Sequence, residues 1–553
     1  MKGGDRSVKR IISLILSIAL AVCLLSGCDL RSVVSSLREQ MINSRYEPVE
    51  GNYLVYELDQ ALLDGFYDAL EVSEELSVAG EDMDRIDQAA ERLDEMYMEL
   101  IDQEQIAYIL YCTDQSSQEF SRQYLEATQY CAQAEADYNA MIRRVYLSDT
   151  PVRDALFADW TQEQIDIMLR HTDEVAQLEQ RNTELTVAYH ELDPENYGED
   201  MIALYNELVA NNNRIAEIYG YPDYYTYASR IVYGRDYGQQ ELERLRQYVC
   251  QYLPSACDSL TDSFYSSYDR LDEQQTQQLS SLLLDAWDAM DTNYVQMYLQ
   301  DLPEPAGGDM LGMFSDDRAV FTGYHDALSG AFTVWIDGLP FCYFGPNYQD
   351  SETLIHELGH YCGGLHMEPW GMSIDFCETQ SQGNEWLFLC FLQEHLQPQV
   401  HDCLSDYKLM AELMDVLGFV ILDEFEQRIY CHEKAGSLTL EEYDTLLEEV
   451  AEGYGGIDYI SENILDLRTY WKLVLLESPV YYLSYAVSSC AAIDLYMMAL
   501  ENETQAREVY CRLTQEADGD KGFLENITAC GLAGPFEEAL YQKIGKIMEK
   551  NQK

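Results

Sequence analysis

No proline occurs between Pro48 and Pro151, and glycines there are few, so little in about a hundred residues of chain would interrupt a helix. Segments such as Ile86 to Ile101 repeat apolar residues at steps of three and four, which collects them on one helical face. Asp149-Thr150-Pro151 then reads as a cap followed by proline at the first helical position, where a missing N–H goes unnoticed. The same texture continues to about Tyr298. A chain written this way buries helix faces against one another, so a mostly α fold is predicted. At 553 residues it can enclose a large core and form two or more lobes. No repeat at solenoid spacing is visible.

One region departs from the texture. From Val320 to Tyr348 glycine, proline and β-formers take over, and SGAFTVWIDGLPFCYFGPN predicts two short strands joined around Asp337-Gly338. Helical character returns at Asp350. A small hairpin after some three hundred residues of helix is unlike a fold that opens with a multi-stranded sheet.

At the N-terminus Lys2, Arg6, Lys9 and Arg10 precede an apolar run from Ile11 to Leu25 and then Ser26-Gly27-Cys28, the layout of a secretory leader. Leu25-Ser26-Gly27-Cys28 also resembles a bacterial lipobox. That reading makes 1–27 a signal peptide and Cys28 the lipidated first residue of the mature chain. The protein would then be anchored at the extracellular face of the membrane without spanning it, for which the apolar run is short. Residues 28–50 read as a tether. Loss of 1–27 leaves 30 basic against 98 acidic side chains, a net charge of −68. Nucleic acid is excluded as a partner on that charge, and anionic lipid surfaces are poor ones. Of 15 cysteines, Cys23 leaves with the leader and Cys28 is taken by lipid. The rest are scattered with no C-x-x-C pair, which argues against a zinc ribbon or a dense disulfide framework but leaves isolated pairs open.

The chemistry concentrates in HELGHYCGGLH, His356 to His366. On a helix His356 and His360 lie one turn apart and can direct two imidazole nitrogens at one Zn²⁺. Glu357 falls beside the metal, where it can take a proton from an attacking water. Asp350 or Ser351 caps this helix, and Glu352 suits its first turn. Two candidates compete for the third ligand. Gly363-Gly364 could end the helix and turn His366 back to the metal, as in metzincin-like proteinases acting on intact proteins. Alternatively, in DFCETQSQGNEW the residues Glu378, Ser381 and Glu385 sit at helical spacing, and Glu385, twenty-five residues after His360, could complete a His₂Glu site with an open position. Glu378, two turns earlier on the same face, could hold a ligand histidine by its other nitrogen.

Taken together, these segments resemble the oligoendopeptidase F and thimet oligopeptidase family of zinc metallopeptidases, whose H-E-x-G-H and E-x-x-S-x-x-x-E patterns fall on His356, Glu357, Gly359 and His360, then Glu378, Ser381 and Glu385. YGYPDYYTYA at 219–228, SGAF at 329–332, FEQRIYCHEKAGSLTLEEY at 425–443, YYLSYA at 481–486 and GLAGPFEEAL near the C-terminus extend the likeness from about residue 200 to 540. The resemblance implies a two-lobed helical ellipsoid cut by a deep central channel, with a small β-hairpin or sheet beside the zinc helix. It implies an N-terminal helical region at 51–200 and a catalytic region at 201–548. One Zn²⁺ per chain is expected on His356, His360 and Glu385, with Glu378 supporting a histidine. Cleavage of short unfolded oligopeptides is expected, with the substrate backbone pairing along Gly330, Ala331 and Phe332 by strand addition. Tyr482 and Tyr485 fall on the family's Y-x-x-Y-A pattern and are expected to donate to the oxyanion of the tetrahedral intermediate. A monomer is expected.

The sequence also departs from that pattern. Family members commonly carry a histidine shortly before those tyrosines, but none follows His432 here. A lipoprotein that binds peptides and turns them over weakly is therefore a further reading. Gly363-Gly364 inside the zinc helix is the second departure.

Overall fold

The computed structural model describes residues 54–551, apart from 159, 191, 193–197, 285–293, 304–305, 317, 347, 349, 368–372, 517 and 520. The leader, Cys28 and the tether lie outside the described residues. The remainder is mostly helical with one small sheet, as the proline and apolar spacing predicts.

Three long helices come first: α1 (Gln60–Ala79), α2 (Met83–Thr113) and α3 (Gln118–Leu147). Each begins on a side chain that satisfies otherwise unpaired amides: Asp59 accepts from the N–H groups of Ala61 and Leu62, Asp82 from Asp84, and Ser117 from Phe120. Connections of only a few residues fold them onto one another around a core that includes Phe66, Leu93 and Leu100. Burial of each such side chain stabilises by about 1.5–3 kcal/mol. This group ends at Leu147. The next long pair, the helix Asp173–His190 and α4 (Glu199–Tyr219), packs together, and Leu185 and Tyr189 of the former belong to the main core. The helical pairing thus runs across residue 200.

The main core is built from α5 (Gln239–Tyr268) and four helices that follow the sheet: α6 (Ser351–Gly364), α7 (Ile374–Leu392), α8 (Pro398–Tyr430) and α9 (Leu483–Gln515). α7 is almost wholly buried, packed along α9 on one side and against α6 on the other, and α8 lies between α5 and α9. α9 is apolar and long enough to cross a membrane, but most of it is buried inside this core.

The sheet has the order β1-β3-β2, with β1 (Ala319–Phe321) parallel to β3 (Leu339–Phe344) and β2 (Ala331–Ile336) antiparallel to it. The hairpin turn is Asp337-Gly338, with φ of 55° and 68°, the pair of left-handed residues that a two-residue turn between twisted strands demands. β1 is an addition the sequence reading does not contain. β2 is an edge strand. Its Phe332 stacks between Tyr108 of α2 and Tyr343 of β3, whereas Thr333 faces α6. The hairpin is thereby held between the first helices and the motif helix. The thirteen described cysteines are all unpaired.

Candidate metal centre

α6 starts on Asp350, whose Oδ1 accepts the Thr353 N–H at 2.8 Å. One turn further along, His356 and His360 project from the same face with their Nε2 atoms 3.2 Å apart. At that separation one ring N–H can donate to the other ring's nitrogen, or both lone pairs can meet a cation placed between them.

Glycine decides what else reaches this point. A Cβ on Gly359 would lie 2.6 Å from the Ser381 Cα and 2.8 Å from the Gln380 carbonyl oxygen, so α6 and α7 touch backbone to backbone here. Glu378 lies one turn before that contact and Glu385 one turn after it. Both carboxylates consequently face the histidines, from opposite ends.

The Glu378 Oε2 lies 3.5 Å from the His356 Nε2 and 3.6 Å from the His360 Nε2. His356, His360 and Glu378 thus form a group able to hold one ion. Tetrahedral zinc with ligand bonds of about 2.0–2.2 Å sets donor separations of about 3.3–3.6 Å, which these three atoms meet closely. The donor set fits the metal. Burial works to raise the Glu378 carboxyl, but His360 and His356 outweigh it and hold it well below the usual carboxylate range. Burial likewise opposes a charged His356, and the two carboxylates push its pKa well above the ordinary value.

Of the two glutamates, Glu378 and not the expected Glu385 stands within reach of both Nε2 atoms. Glu385 is turned to the far side of the ring, where its Oε1 meets the His356 Nδ1 at 2.6 Å, and its Oε2 accepts from the Lys408 ammonium on α8. Lys408 also donates to Glu352 Oε1 at 2.5 Å and lies 3.9 Å from Glu412, so one buried cation gathers three carboxylates. Burial raises the Glu385 pKa, yet Lys408 and then His356 bring it down to about 2. An ionised Glu385 accepts from Nδ1 of His356 and so orients the ring with Nε2 on the side of Glu378 and His360. Sequence reasoning missed Lys408, and nothing in the spacing marks it.

Glu357 points to the sheet side of α6, almost fully buried. Its Oε2 accepts the Thr333 hydroxyl of β2 at 2.7 Å. That bond joins the candidate base to the strand expected to receive substrate. Gly330 precedes β2 and its carbonyl accepts the Gly345 N–H at 2.8 Å, while Ala331 and Phe332 begin the strand. Among the described residues no strand occupies the outer edge of β2.

His366 is not part of the donor group. Its Nε2 lies 2.8 Å from Asp309 Oδ2, on the helix Ala306–Ser315. The glycines expected to turn the chain back instead remain helical and serve close packing: Gly363 abuts the Gln380 side chain, and Gly364 abuts Trp335 and Pro340.

The tyrosines also sort differently from the Y-x-x-Y-A expectation. Tyr481, which that pattern skips, donates its hydroxyl to Glu378 Oε1 at 3.4 Å and stands 3.4 Å from the Tyr485 hydroxyl. Tyr485 therefore lies next to the centre through Tyr481. Tyr482 turns away, its ring packed against Phe419 and Tyr470.

No family model matches the chain, and no curated protein matches it. Among solved structures it is similar to a protein named as an oligoendopeptidase F from Bacillus anthracis str. Ames, with a TM-score of 0.69 and 17% identity over 92% of this chain and 98% of that one. PZ peptidase A, solved with an inhibitor, gives a TM-score of 0.68 at 17% identity, covering 92% and 99% of the two chains. Oligoendopeptidase F from Enterococcus faecium gives 0.53 at 14% identity, covering 89% and 97%. The chain has the fold of these oligoendopeptidase F-type structures along nearly its whole described length.

Proposed function

We propose that the protein is a zinc metallopeptidase that hydrolyses peptide bonds of short, unfolded oligopeptides. The observation that carries this reading is the convergence of the His356, His360 and Glu378 donor atoms one residue from a buried Glu357 that is tied to an edge strand. The fold shared with oligoendopeptidases supports it.

In this reading Nε2 of His356, Nε2 of His360 and Oε2 of Glu378 hold one Zn²⁺, and two imidazoles with a carboxylate suit that ion. When bound, it polarises the scissile carbonyl and favours negative charge on its oxygen. Glu357 accepts the proton of the attacking water and passes it to the departing amine. Thr333 keeps one oxygen of that carboxylate occupied, which leaves Oε1 to move the proton. Glu385 holds His356 in register, and the Tyr481 hydroxyl turns its one proton from Glu378 Oε1 to the developing oxyanion. The outer edge of β2 offers backbone groups with which an extended peptide pairs, and the channel implied by the family resemblance restricts entry to flexible chains.

We place this activity outside the cell, with Cys28 as the lipid anchor after removal of 1–27, on the pattern of the leader. Quenched-fluorescence peptides of graded length, offered beside casein to the zinc-loaded protein, test the reading. Cleavage of short peptides alone, abolished by Glu357→Gln, is expected. Cleavage of casein, or peptide binding with no turnover, would overturn it.

A further inference from the structure

Among the described residues, only two that are not glycine adopt positive φ: Asp337 in the hairpin turn, at 55°, and Val480, at 61°. The first is ordinary for its turn. A β-branched residue in the left-handed region is strained, and it persists only where its surroundings hold it there.

Those surroundings grip Val480 from both sides. Its N–H donates to the buried Glu426 Oε2 at 2.9 Å, and its carbonyl accepts from the Arg235 Nη2 at 2.8 Å. The same guanidinium, with no exposed side-chain surface, reaches the Ser484 hydroxyl at the start of α9 at 3.0 Å and lies 3.8 Å from Asp375 on α7, three residues before Glu378. The Tyr233 hydroxyl donates to the neighbouring Pro479 carbonyl at 2.6 Å. One arginine therefore spans the loop that carries Tyr481 and the helix that carries Glu378. The direction the chain takes at Val480 decides where Tyr481 points.

We propose that Arg235 and Glu426 are positioning residues for Tyr481: together they keep Val480 left-handed, and this delivers the tyrosine hydroxyl to Glu378 beside the metal donors. Without the clamp Val480 relaxes to negative φ, and Tyr481 swings off the centre. The kinetic consequence rests on the peptidase reading, whereas the conformational one does not.

The test pairs loss of the clamp with relief of strain. Glu426→Ala lowers kcat about tenfold or more with KM changed less than twofold, whereas Glu426→Gln, which keeps an acceptor for the Val480 N–H, stays near the parent. Adding Val480→Gly to Glu426→Ala recovers most of the lost kcat, because glycine holds positive φ without strain. In a Tyr481→Phe background Glu426→Ala lowers kcat no further. Equal losses in the Ala and Gln variants, additive losses with Tyr481→Phe, or no recovery with glycine would each overturn the proposal. Arg235→Lys, which keeps the charge but cannot reach Val480 and Ser484 together, repeats the pattern should Glu426→Ala fail to fold. Crystal structures of the zinc-stripped variants decide independently of turnover: residue 480 at negative φ with Tyr481 off Glu378 supports the clamp, and an unchanged loop refutes it. If the parent protein cleaves no peptide, the peptidase reading fails and the crystallographic result still stands.

Discussion

Glu385 Oε1 lies 2.6 Å from Nδ1 of His356, so the other nitrogen of that ring is free to face His360 and Glu378. The two glutamates of α7 consequently answer to different assays. In the proposed centre Glu378→Ala removes a ligand and should leave the protein without stoichiometric zinc by elemental analysis. Glu385→Gln keeps all three donors and should weaken zinc affinity by about 10–100-fold, measured by chelator competition. His366→Ala breaks only the contact with Asp309 and should bind zinc as the parent does. Retention of zinc by Glu378→Ala would sink this assignment.

Glu357→Gln should keep its metal and lose about 10²–10⁴ in kcat, the usual yield of a positioned acid–base group. Thr333→Val removes the hydroxyl that orients that carboxylate at 2.7 Å and should lower kcat about tenfold with KM little changed. An effect confined to KM would mean that Thr333 acts on substrate through β2 instead.

Gly359→Ala places a methyl group 2.6 Å from backbone, which cannot rotate away as a side-chain tip would. The helices must part. We expect a destabilisation of about 1–3 kcal/mol by denaturant titration, accompanied by weakened zinc binding. Unaltered zinc affinity would show that the donor geometry does not depend on this contact.

Asp102, on α2, faces the Asp337 turn and titrates at about 6: burial raises its carboxyl, an N–H bond from Asp337 opposes this, and the Asp337 charge adds to the rise. A pKa above the unfolded value means that the folded chain holds the proton between about pH 4 and 6 while the unfolded chain has lost it. Stability from this group is therefore present below pH 4 and lost as pH climbs through 6. Asp102→Asn should flatten that slope and stabilise by about 1 kcal/mol at pH 7, the partial exposure reducing the full linkage value. Denaturant midpoints of both proteins between pH 4 and 8 check it.

Much of this architecture is legible in the residues themselves. Asp350 announces its helix and Asp337-Gly338 announces the hairpin, because each rule is local, whereas Asp149-Thr150-Pro151 opens no helix: the short one there runs Arg153–Leu156 with Val152 at its N-cap. His356, Glu357 and His360 are legible for the same reason, being one helical turn. Which of Glu378 and Glu385 faces both Nε2 atoms is not, since both share a face of α7 and Glu385 is engaged by Lys408 on another helix. Asp309, far upstream of His366, settles that histidine in the same manner. That Tyr481 and not Tyr482 reaches Glu378 follows a residue of positive φ at Val480, which no spacing rule anticipates.

The contact at Gly359 also bears on how such a centre persists through divergence. Its geometry depends on two rods meeting where one of them has no side chain, and very little of the surrounding composition enters into that meeting. The chain keeps the fold of solved structures with which it shares only about one residue in six, and the crossing at Gly359 asks for little more than the absence of one side chain. Mutational drift should therefore be tolerated broadly along these helices and hardly at all at their point of closest approach.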